Sequence, residues 1–183
     1  MKCFYLMTVL LLSSGQAIAA LELNAVSSDA EQVQTQLRDY FFNAARFGDN
    51  EVLDEFIQAG YDLNTADDKG YTALILAAYN GQPDTVERLI AAGANACAQD
   101  GRGNTALMGA IFKGELRIAK RLLATECDPD QRNYAGQTPA MYAALFQRGA
   151  LLQALRERGA DLEASDPMGN KVESLARGEI RTR

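Results

Sequence analysis

The sequence predicts an all-α solenoid, a row of stacked helix-turn-helix pairs. Three observations carry this. Several residue types recur every 33 positions. Each period splits into two short apolar helical segments separated by glycine. Small residues occupy the faces where neighbouring pairs must meet.

The period is read from four independent markers. Gly70, Gly103, Gly136 and Gly169 are 33 apart, as are Thr72, Thr105 and Thr138. Gly48, Gly81 and Gly114 keep the same step, and so do Gly60, Gly93 and Gly159, with Glu126 in the missing slot. Self-similarity at such a period is the signature of a repeat architecture.

Each unit reads alike. In residues 67–95, Asp67-Asp68-Lys69-Gly70 is turn chemistry, with a glycine suited to positive φ. Thr72 opens a short helix to Tyr79 with Leu74, Ala77 and Ala78 inward, and Gly81 stops it. Pro83 stands in the first turn of a second helix, where its missing N–H costs nothing. That helix buries Val86, Leu89 and Ile90 at helical spacing, and Gly93 ends it. Ala44-Ala45, Ala77-Ala78 and Ala143-Ala144 make thin faces, with Ala110-Ile111 a bulkier version. No unit can bury such a face alone, so stability comes from stacking neighbours.

The segments GYTALILAAYNG, GNTALMGAIFKG and GQTPAMYAALFQ, with the closers LIAAGAN and LRERGAD, resemble the ankyrin repeat. The likeness runs from residue 37 to about 176. It implies an ankyrin-repeat solenoid with β-hairpin-like finger loops, four helical pairs over 37–66, 67–99, 100–132 and 133–165, and a truncated capping unit over 166–183. Residues 20–36 are expected to hold a lead-in and the start of a capping helix, with a capping box at Ser28-Asp29-Ala30-Glu31.

Two departures from the family pattern stand out. The family's loop-tying histidine is absent, with Ile75, Met108 and Met141 in its place, so a looser loop network is expected. The third unit closes on Thr125-Glu126-Cys127-Asp128-Pro129 rather than Gly-Ala, so a distorted loop is expected there. Cys127 takes the small buried Ala slot and reads as an apolar filler. Adjacent layers are roughly 10 Å apart and a disulfide needs Cα atoms within about 7 Å. That leaves a Cys97–Cys127 bridge open but disfavoured.

Residues 1–19 read as a cleavable secretory signal. Lys2 is the positive start, residues 4–12 are an apolar run too short to span a bilayer, and Ala17-Ile18-Ala19 is a cleavage pattern. The expected destination is the bacterial periplasm, with secretion as the alternative. The formal net charge of −6, one unit more negative once Lys2 is removed, argues against nucleic acid and anionic membrane surfaces. The chain has no histidine, which removes triads, Cys–His pairs and histidine metal sites. No cofactor and no catalysis are expected, and no membrane insertion after cleavage.

The resemblance implies a concave face built from first helices and fingertips. Its slots hold Arg46-Phe47, Tyr79-Asn80, Phe112-Lys113 and Leu145-Phe146, with Asp68, Lys69, Tyr71, Arg102, Asn104, Tyr134 and Gln137 at the fingers. Phe47, Tyr79, Phe112 and Phe146 recur at nearly the repeat spacing and are expected to stack along one groove, the composition interface cores favour. Lining tucked beneath the fingers is the alternative for some of them. The expected role is a monomeric binder of another protein, restraining, protecting against or stabilising a partner such as an envelope hydrolase or toxin. The alternative is support of periplasmic oxidative-stress defence, through a catalase or its haem.

Overall fold

The computed structural model describes residues 30–182. The expected signal, lead-in and capping box, which reaches back to Ser28, lie outside or at the edge of the described residues. The chain divides into two units at Tyr40/Phe41. In the first, residues 30–40 are helical, with Val33, Leu37 and Tyr40 exposed.

The second unit is the solenoid. Residues 41–47 (α1) and Asn50–Gln58 (α2) form one helical layer. Ala73–Tyr79 (α3) with Pro83–Ala91 (α4), Ala106–Lys113 (α5) with Leu116–Leu123 (α6), and Pro139–Leu145 (α7) with Gly149–Glu157 (α8) form three more. Val172–Ala176 (α9) closes the row against α7. First helices pack on first helices (α3, α5, α7) and second helices on second (α4, α6, α8).

The periodic residues have structural jobs. Thr72, Thr105 and Thr138 are N-caps, each hydroxyl accepting from the backbone N–H three residues on, at Ile75, Met108 and Met141. Such a cap contributes about 1 kcal/mol. The alanine faces are sealed, with Ala45, Ala77, Ala78 and Ala110 at zero exposure and Ala143 and Ala144 buried. Leu74, Val86 and Leu89 are buried as expected, and Ile90 is partly buried against the core.

The glycine that ends each first helix adopts positive φ at Gly48, Gly81 and Gly114, but the fourth unit carries Gln147 there, at φ 57. A side chain in the left-handed region costs roughly 1–2 kcal/mol. Gln147 offsets part of this by donating from Nε2 to the Ala176 carbonyl, 3.0 Å away on the end of α9.

Among the described residues the fingers hold isolated bridges rather than strands: Ala66 with Thr72, Gln99 with Thr105, Ser165 with Lys171. Asp67, Asp100, Asn133 and Asp166 shape each finger by accepting from the N–H groups two and four residues on.

The expectation of loosely tied loops is corrected. The slots of Ile75, Met108 and Met141 are buried apolar core, and other groups tie the fingers. Gly101 N–H donates to the Lys69 carbonyl at 2.7 Å and Tyr134 N–H to the Arg102 carbonyl at 3.0 Å. This approach is why Gly70 and Gly103 recur: a Cβ on either would lie 2.6 Å from the next finger's backbone nitrogen. Gln99 Nε2 donates to its own finger at Gly103 O and to the next at Arg132 O. Arg132, 33 residues on, repeats this to Gly136 O and Ser165 O.

The disfavoured disulfide is also corrected. Cys97 and Cys127 are bonded, with Cα atoms 5.4 Å apart. The 10 Å layer spacing applies to residues one full repeat apart, whereas these are 30 apart. Across the other layers residues 31 apart meet directly. Asn64 Oδ1 accepts from Asn95 N–H at 2.8 Å, and Asp130 accepts from Asp161 N–H at 3.0 Å. Cys97 stands in the slot of Asn64 and Asp130, so the disulfide replaces the hydrogen-bonded staple of its neighbours. Cys127 is accordingly not a buried filler: it is half-exposed where its equivalents Ala94 and Ala160 are buried.

The third closing loop departs from the others as expected. Ala94 and Ala160 N–H donate back to Leu89 O and Leu155 O, whereas in the third unit Thr125 takes over, its N–H and hydroxyl both donating to Leu122 O. Arg158 then donates to Thr125 O at 2.8 Å.

Candidate functional site

The site is built where the C-terminal ends of α3, α5 and α7 meet the fingers. Tyr79 ends α3, Phe112 lies in the last turn of α5 and Phe146 caps α7. The rings of Tyr79 and Phe112 are stacked, centroids 5.8 Å apart and nearly parallel at 8°. Phe112 meets Phe146 edge-on at 4.8 Å, and Phe146 meets Tyr142 at 5.7 Å. Lys113 Nζ lies 5.0 Å over the Tyr79 ring. Tyr79 is 43% exposed and Phe112 39%, an unusual outlay of aromatic surface facing solvent.

Phe47 does not join the row. It is 77% exposed and, among the described residues, in no ring pair. One residue of register explains this. Tyr79 and Phe112 share a slot with Arg46 and Leu145, while Phe47 shares its slot with Asn80, Lys113 and Phe146. Its neighbour along the row is therefore Asn80. Phe146 rejoins the row from the same slot by packing on Tyr142 and Phe112.

Beside the rings lies a recess of about 220 Å³, lined by Tyr71, Ile75, Tyr79, Asp100, Arg102, Asn104, Met108, Gly109, Phe112 and Tyr142. Gly109 makes room for it. It sits in the interior of α5 with the Tyr79 side chain 3.8 Å from where a Cβ would be. A glycine there costs roughly 0.5–1 kcal/mol relative to alanine.

A hydrogen-bonded cluster holds the recess wall. Tyr142 hydroxyl donates to Asn104 Oδ1 at 2.9 Å, and Asn133 Nδ2 reaches Asn104 Oδ1, Gln137 Oε1 and the Tyr142 hydroxyl. Burial, against the opposing effect of the Asn133 hydrogen bond, pushes the Tyr142 phenol above its ordinary value, so it stays a neutral donor. Asp100, 6% exposed, accepts from Arg102 and Asn104 N–H and from the Asn104 side chain.

The predicted residues therefore divide. Tyr79, Phe112, Phe146, Lys113, Tyr71 and Arg102 converge on the row and recess. Asp68, Lys69 and Arg102 line a second hollow at the fingertips. Asn104 and Gln137 belong to the internal cluster. Asn80 donates back to Leu76 O, and Leu145 packs on the core. Arg46 donates to Asn43 at the far end. Tyr134 stands 74% exposed on its finger. Sequence reasoning missed Tyr142 and Gly109. The available signal was a glycine in the interior of a predicted helix, one repeat before a tyrosine.

With this geometry in place the family can be stated. A family model described as ankyrin repeats (3 copies) matches residues 41–133 and again 77–166. The chain belongs to the ankyrin-repeat family, whose repeats are protein-binding modules and typically non-catalytic. A comparison with curated proteins gives no match. Among the described residues no helix is long and apolar enough to cross a membrane.

Proposed function

We propose that the chain, once residues 1–19 are removed, works as a monomer in the bacterial periplasm and holds a partner protein in this groove, restraining or protecting against an envelope hydrolase or toxin. The observation that carries the binding role is the ring-on-ring row Tyr79–Phe112–Phe146, in which Tyr79 and Phe112 are exposed side by side on one face of the stack. Aromatic rings flanked by cations are the groups that dominate binding energy at protein interfaces. The Cys97–Cys127 bond supports the exported reading, since disulfides persist in oxidising compartments.

The test is Tyr79→Ala combined with Phe112→Ala. Both side chains are far from buried, so folding is retained, with a cost of about 1–2 kcal/mol from the lost ring contacts. Capture of partners from periplasmic extract is expected to fail. Undiminished capture by the folded double variant would refute the groove.

A further inference from the structure

The cations of this solenoid are not distributed evenly in their pairing. On the second helices Arg88, Arg117 and Arg121 are matched across layers with Asp54, Asp84 and Glu87, while Lys120 and Arg156 have no ion pair among the described residues. Around the groove none of the three cations is so matched. Lys69 and Arg102 are exposed on adjacent fingers with no ion pair among the described residues, and Lys113 lies over a ring rather than a carboxylate. Of the nearby acids, Asp67 and Asp100 turn their carboxylates into finger N–H groups, and Asp68, which shares the fingertip hollow with Lys69 and Arg102, is one negative charge against the three cations. A chain of net charge −6 thus presents uncommitted positive charge beside its exposed aromatic row.

We infer that the groove receives an acidic polypeptide segment carrying an aromatic or large aliphatic side chain. This deepens the groove reading above and rests on it. The apolar side chain enters the recess over Gly109, between Tyr79, Phe112 and Tyr142. Flanking carboxylates pair with Arg102 at the recess mouth, Lys69 on the neighbouring finger and Lys113 at the end of α5. Complementary potential of this kind selects partners and speeds encounter. The net negative remainder of the surface disfavours acidic segments elsewhere, which confines them to this face.

The experiment selects binders from a phage-displayed random dodecapeptide library on the full chain after signal removal. The enriched peptides are then measured against three variants: Tyr79→Ala/Phe112→Ala, Arg102→Glu/Lys113→Glu, and the control Lys120→Glu/Arg156→Glu, which makes the same charge change on exposed second-helix positions. Circular dichroism confirms that each is folded. The expected result is acidic peptides with an aromatic or large aliphatic residue. Their binding weakens about tenfold or more with the first two variants, is unchanged by the control, and falls with added salt. Peptides that need Tyr79 and Phe112 but are neutral or basic, or that ignore Arg102→Glu/Lys113→Glu, overturn this inference and leave the groove standing. No enrichment, or peptides indifferent to all three variants, overturns the groove and the inference together.

Discussion

Breaking the Cys97–Cys127 bond perturbs the middle of the stack, and the structure allows the effect to be worked out. The bond closes a loop with a sequence separation of 30. Loop-closure entropy for that length corresponds to about 3.6 kcal/mol at 25 °C. For a chain of this size each kcal/mol moves the melting temperature by roughly 3 °C, so reduction should lower it by about 10 °C. The loss falls at the junction between the α3–α4 and α5–α6 layers, so unfolding is expected to broaden or split, as coupling between neighbouring repeats weakens. The assay is thermal circular dichroism of the wild type with and without a phosphine reductant, alongside two variants. Cys97→Ala/Cys127→Ala should match the reduced protein. Cys97→Asn/Cys127→Ala should recover about 1 kcal/mol, because Asn in that slot can accept from Asp128 N–H as Asn64 accepts from Asn95 N–H. A melting temperature indifferent to reductant would refute the loop constraint. An Asn variant no better than the Ala variant would refute the equivalence of disulfide and hydrogen-bonded staple.

Two further outcomes follow from single residues. Gly109→Ala is expected to raise stability by roughly 0.5–1 kcal/mol in denaturant unfolding, since the new Cβ meets Tyr79 at an ordinary contact distance of 3.8 Å; a loss would show that the recess floor cannot accept a methyl group. Asp166→Asn should cost about 1–2 kcal/mol at pH 7 yet still fold, because Asn133 makes the same backbone bonds in the preceding finger. Burial pushes the Asp166 carboxyl up, but hydrogen bonds from the Asn170 side chain and neighbouring backbone N–H groups outweigh it and hold the group below its ordinary 3.8. A depressed carboxylate contributes its stability above the unfolded value and loses it as pH falls through the lower folded one. The difference between wild type and variant should therefore shrink towards zero as pH drops below 3.8; a gap that ignores pH would remove the carboxylate from the account.

The parts of the fold that were legible in the sequence are those fixed by local chemistry. Thr72, Thr105 and Thr138 announce helix starts because a hydroxyl at an N-cap acts on its own backbone. The Ala pairs announce stacking because only thin faces fit. What was not legible depends on contacts between residues that are neither local nor one full repeat apart. Cys97 and Cys127 meet because the closing loop of one unit lies against the following loop of another at a step of 30, not 33. Gln99 and Arg132 replace the absent histidine by reaching along the fingers, which a search for the missing residue in its own slot does not find. The aromatic row was half legible: Tyr79 and Phe112 share a slot and stack, while the one-residue offset of Phe47 removes it and the same offset at Phe146 is rescued by Tyr142. The recess left one trace in the sequence, Gly109 inside a predicted helix, and a missing side chain is easily passed over because its effect depends on the Tyr79 and Tyr142 side chains of the adjoining layers.

The most direct measurement is site-specific photocrosslinking in cells. A photoreactive phenylalanine analogue is placed at Phe112 in the groove or, as a control, at Arg117, an exposed second-helix residue paired with Asp84. The account predicts a discrete crosslinked protein adduct from position 112, lost when Tyr79→Ala is added, and none from position 117. An adduct from 117 with none from 112 would place the binding face on the second helices and contradict the groove.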